Sequence, residues 1–365
     1  MTASDFIPQP CQYGMDTGSV TWKAPSNIAL VKYWGKHGEQ LPANPSVSFT
    51  LSKCATTTCL LYEKLPEPSD DFSFELFFEG KPKVDFNPKI CDFFRRIEPY
   101  FPFLKAYRFT IRTSNSFPHS SGIASSASSM SALALCLMSM EKAYNPAMTD
   151  SFFYKKASFI ARLGSGSASR SIKGLVVAWG AHPDVAESSD LYGIPYPYKI
   201  HEVFHTYQDT ILLVDRGKKQ VSSSAGHALM HNHPFADKRF EQAKANLVKL
   251  KAIFRKGDVQ RFTEVVENEA LTLHAMMMTS LPYFILMKPE TLEIIHKVWA
   301  FRTRTKRPLC FTLDAGANVH LLYPKHEKEY ILEFINTTLV GYCENEQYIC
   351  DEVGFGATLL PFSSH

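Results

Sequence analysis

The chain has no apolar run of 18 residues, so no segment reads as a helix crossing a bilayer. Its first residues do not combine a charged segment with an apolar stretch, so no secretory signal is read there either. No CxxC spacing occurs, and the eight cysteines are scattered over 365 residues. That scatter argues for free buried thiols, against a disulfide framework and against a structural zinc site. Long basic runs are missing too. RTRTKR at 302–307 is the densest, read as a solvated helix end, and a net charge of +3 is too mild to imply nucleic acid. His227, His231 and His233 lie close in sequence but have no matching carboxylate or cysteine nearby, which favours surface or helix-end histidines over a metal site. The expectation is a cytoplasmic protein with no nucleic-acid partner and no membrane partner.

What is present is ordinary globular material, 45% hydrophobic and 21% charged, in a chain long enough for two domains of roughly 100–200 residues each. After a polar arm over residues 1–20, apolar or alternating patterns predict strands at 27–31, 55–64, 72–79 and 107–112, with a helix at 90–97. Strands come first and helices follow, which points to an α+β fold rather than a doubly wound sheet. The Pro-rich, acidic stretch 182–199 leads to a boundary between domains 1–205 and 206–365. The second domain is expected to hold a strand at 206–215, helices at 236–256, 259–278 and 289–303, a strand–turn–strand at 309–324, a helix at 325–338 and a closing strand at 347–361.

The chemistry concentrates in a few stretches. In SNSFPHSSGIASSASS (114–129) a Gly/Ser loop runs into a long helix of small and apolar residues. A helix N-terminus joins unpaired N–H groups to the positive end of the macrodipole, so a phosphate chain suits it, although serines also cap helices with no ligand at all. The strand 27–31 delivers Lys32, Tyr33, Trp34, Gly35 and Lys36, a cationic cluster beside two aromatic rings. GSGSASRS (164–171) sets loop glycines among hydroxyls, with Arg170 able to grip a carboxylate or phosphate through two parallel bonds. RGKKQVSSSAG (216–226) offers two lysines and a third hydroxyl-rich helix start, and Asp314 sits in a turn between two apolar strands. A turn aspartate is often only structural, yet beside cations it can act as a base toward a hydroxyl.

The blocks APSNIALVKYWGK, PANPSVSFTLS, FPHSSGIASSASS, GSGSASRS, KKQVSSSAG and FTLDAGAN, in this order, resemble those of the mevalonate diphosphate decarboxylases, in the superfamily of galactokinase, homoserine kinase, mevalonate kinase and phosphomevalonate kinase. The resemblance spans roughly residues 22–325. It implies an N-terminal domain of ribosomal-protein-S5-like type, a C-terminal ferredoxin-like domain, ATP, Mg²⁺, mevalonate diphosphate as substrate and a homodimer. By matching positions it implies that Ser120, Ser121, Gly122, Ile123, Ala124, Ser125, Ser126, Ala127 and Ser128 hold ATP, with Ser126 on the metal and Lys218 or Lys219 reaching the nucleotide. Tyr33, Trp34, Gly35, Lys36, Lys89, Ser165, Gly166, Ser167, Ala168, Ser169, Arg170, Ser223 and Ser224 would bind substrate. Asp314, Arg170 and Lys32 would be catalytic. The chain departs from the family pattern at Ala317, at His37-Gly38-Glu39, and at Lys89, where an arginine is common and a lysine supplies charge without the bidentate fork.

The implied reaction is ATP-dependent decarboxylation of mevalonate 5-diphosphate to isopentenyl diphosphate through phosphorylation of the 3-hydroxyl. Relatives acting on mevalonate or its monophosphate, or stopping at the phosphorylated product, share much of this pattern. A protein that only senses an anion through its serine-rich helix starts is the reading from another class.

Overall fold

The computed structural model describes residues 1–9, 14–118, 123–217 and 223–361, apart from the side chains of Ser223 and Ser224. In chain order the first part contains β1 (Thr17–Val31), β2 (Lys36–His37), β3 (Leu41–Pro42), β4 (Ser46–Lys64), β5 (Ser73–Phe78), β6 (Lys81–Pro82), α1 (Asn87–Ile97), β7 (Tyr107–Asn115), α2 (Ser125–Tyr144), α3 (Asp150–Gly164), β8 (Val176–Trp179) and β9 (Ile194–Pro195). The second contains β10 (Gln208–Leu212), α4 (Ser223–Ala228), α5 (Ala236–Lys256), α6 (Val259–Met278), α7 (Pro289–Thr305), β11 (Cys310–Leu313), β12 (Val319–Tyr323), α8 (Lys328–Phe334), β13 (Tyr348–Glu352) and β14 (Thr358–Leu360).

Two sheets carry the architecture. The larger runs β14-β1-β4-β7-β5-β6, with β8 also paired to β4 and β9 to β8, and the smaller is antiparallel in the order β11-β12-β10-β13. The spine of the first sheet is the long pair β1–β4, whose register slips between Pro25 and Asn27 and again between Ala29 and Val31. Proline cannot donate to a ladder and is tolerated at such irregularities, which re-aim the residues that follow. Here those residues are Asn27 and Lys32.

The strand expected at 55–64 begins earlier, because β4 is one strand from Ser46 to Lys64. Its inward hydroxyls obscure the apolar pattern and yet are all paired. Thr50 donates to the Gly174 carbonyl, and Thr56 bonds to Ser128. Helix α2 is apolar nearly all round and buried over most of its length, as a helix enclosed by other elements must be. Trp22 and Phe153 stack beside it at 6.1 Å.

The closing segment divides. β13 pairs with β10 in the second sheet, whereas β14 crosses back to pair with β1, so the chain's last strand lies in the first sheet rather than within 206–365 as a unit. Glycine makes the crossing feasible: Gly356 has φ +103°, and a Cβ there would stand 2.7 Å from the Lys173 Cα. Asp351 on β13 reinforces the junction by accepting the N–H groups of Ser52, Lys53 and Cys54 at 3.1, 2.8 and 2.6 Å. Phe49 of β4 lies against Tyr207, Phe254 and Phe262, so apolar packing also runs across the junction. No helix among the described residues is long and apolar enough to cross a membrane.

Candidate active site

The site is assembled where the end of β1 meets the second sheet. Lys32 is buried, and its ammonium lies 3.1 Å from the carboxylate of Asp314, which stands in the turn between β11 and β12. Burial lowers the Lys32 pKa, and the facing Asp314 carboxylate offsets part of that shift. Both backbones are tied down. Lys32 N–H donates to Glu269 at 2.9 Å, while Asn44 and Arg239 donate to its carbonyl at 2.9 and 3.2 Å. Glu269 and Arg239, both buried, form an ion pair that Asn246 extends with a 2.7 Å bond to the carboxylate. His274 donates from Nε2 to the Asp314 carbonyl at 3.1 Å. Desolvation holds that imidazole neutral, with its pKa lowered to about 4.

Arg170 closes the other side. It ends the short helical turn 166–170, is almost fully buried, and donates to Ser48 at 2.6 Å and to Ser46 at 2.7 Å. Its guanidinium also sits over the rings of Trp179 and Tyr33. Burial brings its pKa down to about 10, and the charge of Asp314 acts in the opposite direction, so the two groups feel one another across the cleft. Gly166 permits this arrangement, since a Cβ there would lie 2.7 Å from the Tyr33 hydroxyl. That hydroxyl is buried and has no hydrogen-bond partner among the described residues, a costly state unless a ligand completes it.

The turn is linked to the start of α2. Ser131 donates to the Ala168 carbonyl at 2.9 Å, Asn27 bridges the Ser167 carbonyl and Ser171, and Ser26 donates to the Ile123 carbonyl at 2.6 Å. Ala124, just before α2, is held left-handed at φ +45°. That conformation costs an L-residue about 1–2 kcal/mol and turns the chain sharply into the helix. Beside this helix start opens a mostly apolar pocket of about 160 Å³, lined among others by Thr58, Phe78, Ile90, Ile111, Ser126 and Leu133.

Models of two families match the chain: the diphosphomevalonate decarboxylase-like N-terminal domain over residues 24–190, and the mevalonate 5-diphosphate decarboxylase C-terminal domain over 210–355. A diphosphomevalonate decarboxylase of Eremothecium gossypii is 30% identical over 337 residues, covering 86% of this chain and 79% of that protein. The chain belongs to the diphosphomevalonate decarboxylase family. The mevalonate diphosphate decarboxylase of Staphylococcus aureus superposes with a TM-score of 0.80 at 28% identity, over 94% of this chain and 98% of that one. A structure described as MDDEF in complex with MVAPP, AMPPCP and magnesium superposes equally well at 0.80, with 26% identity over 95% and 100% of the two chains. The fold is therefore the two-domain α+β architecture that the resemblance implied.

In this diphosphomevalonate decarboxylase family member the expected residues divide. Lys32, Tyr33, Gly35, Lys36, Gly166, Arg170 and Asp314 are brought to one cleft, with Ser165 and Ser167 half-exposed at its edge. Lys89 is not among them. It lies on α1 and lines the pocket beside Ser125 and Ser126, so its charge serves that chamber rather than the Arg170 side. Trp34 turns its ring into an apolar layer with Met230, Leu273, Met276 and Met277, because the backbone reverses at Gly35. Ser128 is buried with its hydroxyl on Thr56, the Ile123 and Ala127 side chains are buried, and the Ala127 and Ser128 N–H groups donate to the Ala124 carbonyl at 2.8 and 3.3 Å. Ala168 and Ser169 are likewise buried, Ser169 donating to the Gly166 carbonyl. Ser120, Ser121, Gly122, Lys218 and Lys219 lie outside the described residues, as do the side chains of Ser223 and Ser224.

Sequence reasoning assigned no role to Glu269, Arg239, His274, Ser46 or Ser48. The first three lie on helical stretches where a charged or ring residue looks solvated, and only the alternation of Ser46, Ser48 and Thr50 along one face carried a signal. Of the clustered histidines expected at the surface or a helix end, His227 and His233 are buried: His233 contacts the Met276 carbonyl and His227, near the end of α4, accepts from Gly35 N–H, and no group of three metal-ligating side chains occurs among the described residues.

Proposed function

We propose that this protein uses ATP to decarboxylate mevalonate 5-diphosphate to isopentenyl diphosphate, ADP, phosphate and CO₂. The observation that carries the reading is the Lys32–Asp314 pair facing Arg170 across one cleft, a carboxylate held between two buried cations at the junction of the domains. In this reading Asp314 orients the substrate's tertiary hydroxyl and accepts its proton as that oxygen takes the γ-phosphoryl group. Lys32 pairs with the carboxylate and keeps it aimed. Arg170, already fixed by Ser46 and Ser48, holds the substrate carboxylate, while Tyr33, Gly35 and Lys36 face the diphosphate. The phosphorylated oxygen then leaves with its bonding electrons, and the electrons of the C–C bond to the carboxylate form the alkene as CO₂ departs.

The residues at the α2 start fit a nucleotide. The positive end of the α2 dipole and the Ser125 and Ser126 hydroxyls suit phosphates, and the adjoining apolar pocket, with Lys89 at its edge, suits a base and ribose. Ser126, exposed at that helix start, would hold Mg²⁺ together with the nucleotide phosphates; a site without a carboxylate cage suits a cation that keeps water and phosphate ligands. When bound, ATP supplies the phosphoryl group and Mg²⁺ neutralises its charge. Cytoplasmic location and a homodimer belong to the same reading, supported by the family membership.

The test is to incubate the protein with ATP and mevalonate diphosphate and measure ADP and CO₂ together. Equal amounts of both are expected. ADP without CO₂ would instead identify a kinase that stops at the phosphorylated product, and side-by-side assay with mevalonate monophosphate fixes the substrate.

A further inference from the structure

His227 has no part in the scheme above, yet it stands at the site's centre. It comes from the second domain, near the end of α4, and reaches across to the turn that follows β1, where Gly35 N–H donates to its Nδ1 at 3.0 Å. The ring is buried, held between Tyr33 at 4.2 Å and Trp34 at 4.7 Å between centroids. Gly226 allows that approach, since a Cβ there would stand 2.5 Å from the Trp34 ring. An Nδ1 that accepts a hydrogen bond carries no proton, so the neutral ring has its proton on Nε2. Among the described residues the ring's hydrogen bond is the one from Gly35 to Nδ1, which leaves Nε2–H to a ligand.

The groups facing the ring bear on what it can bind. Burial raises the cost of a charge on the imidazole most, and Lys36 at the start of β2 and Arg170 from the 166–170 turn add to it, lowering the pKa to about 3. Tyr33, the titratable group stacked on it, stays a phenol because burial pushes its pKa up. His227 is therefore a neutral donor among cations, next to the buried Tyr33 hydroxyl, which has no partner among the described residues. A donor with no acceptor, in a positive field, is matched by an anionic oxygen.

We propose that His227 is a further substrate ligand, anchored through Nδ1 to Gly35 and presenting Nε2–H to a phosphate oxygen at the substrate's anionic end. The inference rests on reading the 33–36 turn as the diphosphate-facing segment. It places one contact from the second domain on the same group that Tyr33 and Lys36 approach from the first, so affinity for the phosphorylated tail depends on the two domains being docked.

Two variants separate this role from simple anchoring of Gly35. The amide of asparagine overlays Nδ1, that of glutamine overlays Nε2. His227→Gln is expected to keep KM for mevalonate diphosphate within about threefold of the parent, while His227→Asn raises it at least about tenfold, the loss expected for a hydrogen bond to a charged group, with KM for ATP unchanged in both. The reverse order, or no change in either folded variant, overturns the proposal. Should both variants lose affinity alike, the ¹⁵N imidazole signal of His227 in the parent protein decides: a shift of Nε2 on adding inorganic diphosphate supports the contact, and a stationary signal removes it. Failure of the parent protein to release CO₂ would sink the functional reading alone, because the diphosphate titration needs no turnover.

Discussion

Lys32 and Asp314 meet at 3.1 Å across the junction of the two domains, one at the end of the first sheet's longest strand pair and the other in the hairpin of the second sheet. Neither residue could hold its place alone. The buried ammonium needs the carboxylate to remain charged, and the carboxylate needs the ammonium to stay aimed into the cleft.

Replacing Asp314 by Asn removes the proton acceptor but preserves the shape of the hairpin, since His274 binds the backbone carbonyl and not the side chain. A fall in kcat of about 10²–10⁴ is expected with nucleotide affinity unchanged. Steady-state kinetics with a fluorescent nucleotide titration checks both, and full activity in Asp314→Asn would end the assignment.

Arg170→Met is expected to cut turnover by orders of magnitude and leave ATP binding nearly intact, because the Arg170 side chain is held by Ser46, Ser48 and Asn27 of the first sheet. Arg170→Lys should rescue little. A single ammonium cannot bond Ser46 and Ser48 while also offering a planar pair to a carboxylate. Loss of nucleotide affinity comparable to the loss of turnover would refute this placement.

Glu269→Ala leaves Arg239 buried without its anion and frees the Lys32 backbone, a change expected to destabilise by about 3–5 kcal/mol. The double variant Glu269→Met with Arg239→Met should lose less than the sum of the losses of Glu269→Met and of Arg239→Met alone, because no charge remains stranded. Urea unfolding of the four proteins measures the difference, and strict additivity would contradict the pairing.

Pocket filling should discriminate between ligands. Ser129→Phe narrows the 160 Å³ chamber beside the α2 start without reaching the Arg170 turn, so KM for ATP is expected to rise about tenfold or more while KM for the phosphorylated acid stays constant. A parallel rise in both constants would mean that the chamber is not the nucleoside site.

Acid should loosen the domain junction. His274 has a folded pKa of about 4 against an ordinary value of 6.5, so below pH 6.5 the unfolded chain binds a proton that the folded one refuses. Stability is then lost progressively as pH falls from 6.5 toward 4, at up to about 1.4 kcal/mol per unit. His274→Gln, which keeps a donor for the Asp314 carbonyl, should flatten the Tm–pH curve in that interval. An unchanged slope would show that this histidine does not couple to folding.

Much of the site was legible in the residues themselves. Glycine beside serine at 164–171, lysines at the end of an apolar strand and an aspartate between two apolar strands are local signals, and the structure places Lys32, Arg170 and Asp314 together. Ser128 and Trp34 misled because a loop motif does not tell which of its side chains turn inward. α-Helical geometry sends the Ser128 hydroxyl onto Thr56, and the reversal at Gly35 sends the indole into the helical layer. The place of Lys89 was not legible for another reason. The pocket it lines is completed by residues of β4, β5, β7 and α2, distant in the chain, and no local pattern records that approach.

The sequence by itself determined the α+β class, the order of the blocks and the residue types able to carry anions, because these depend on short-range periodicity and on each side chain's own chemistry. Tertiary structure alone decided that Glu269, 237 residues after Lys32, anchors its backbone, that the last strand returns to the first sheet, and that His227 crosses between domains to Gly35. Such contacts are selected by the summed burial of two sheets against shared helices, an energy spread over the whole chain and written in no single stretch of it.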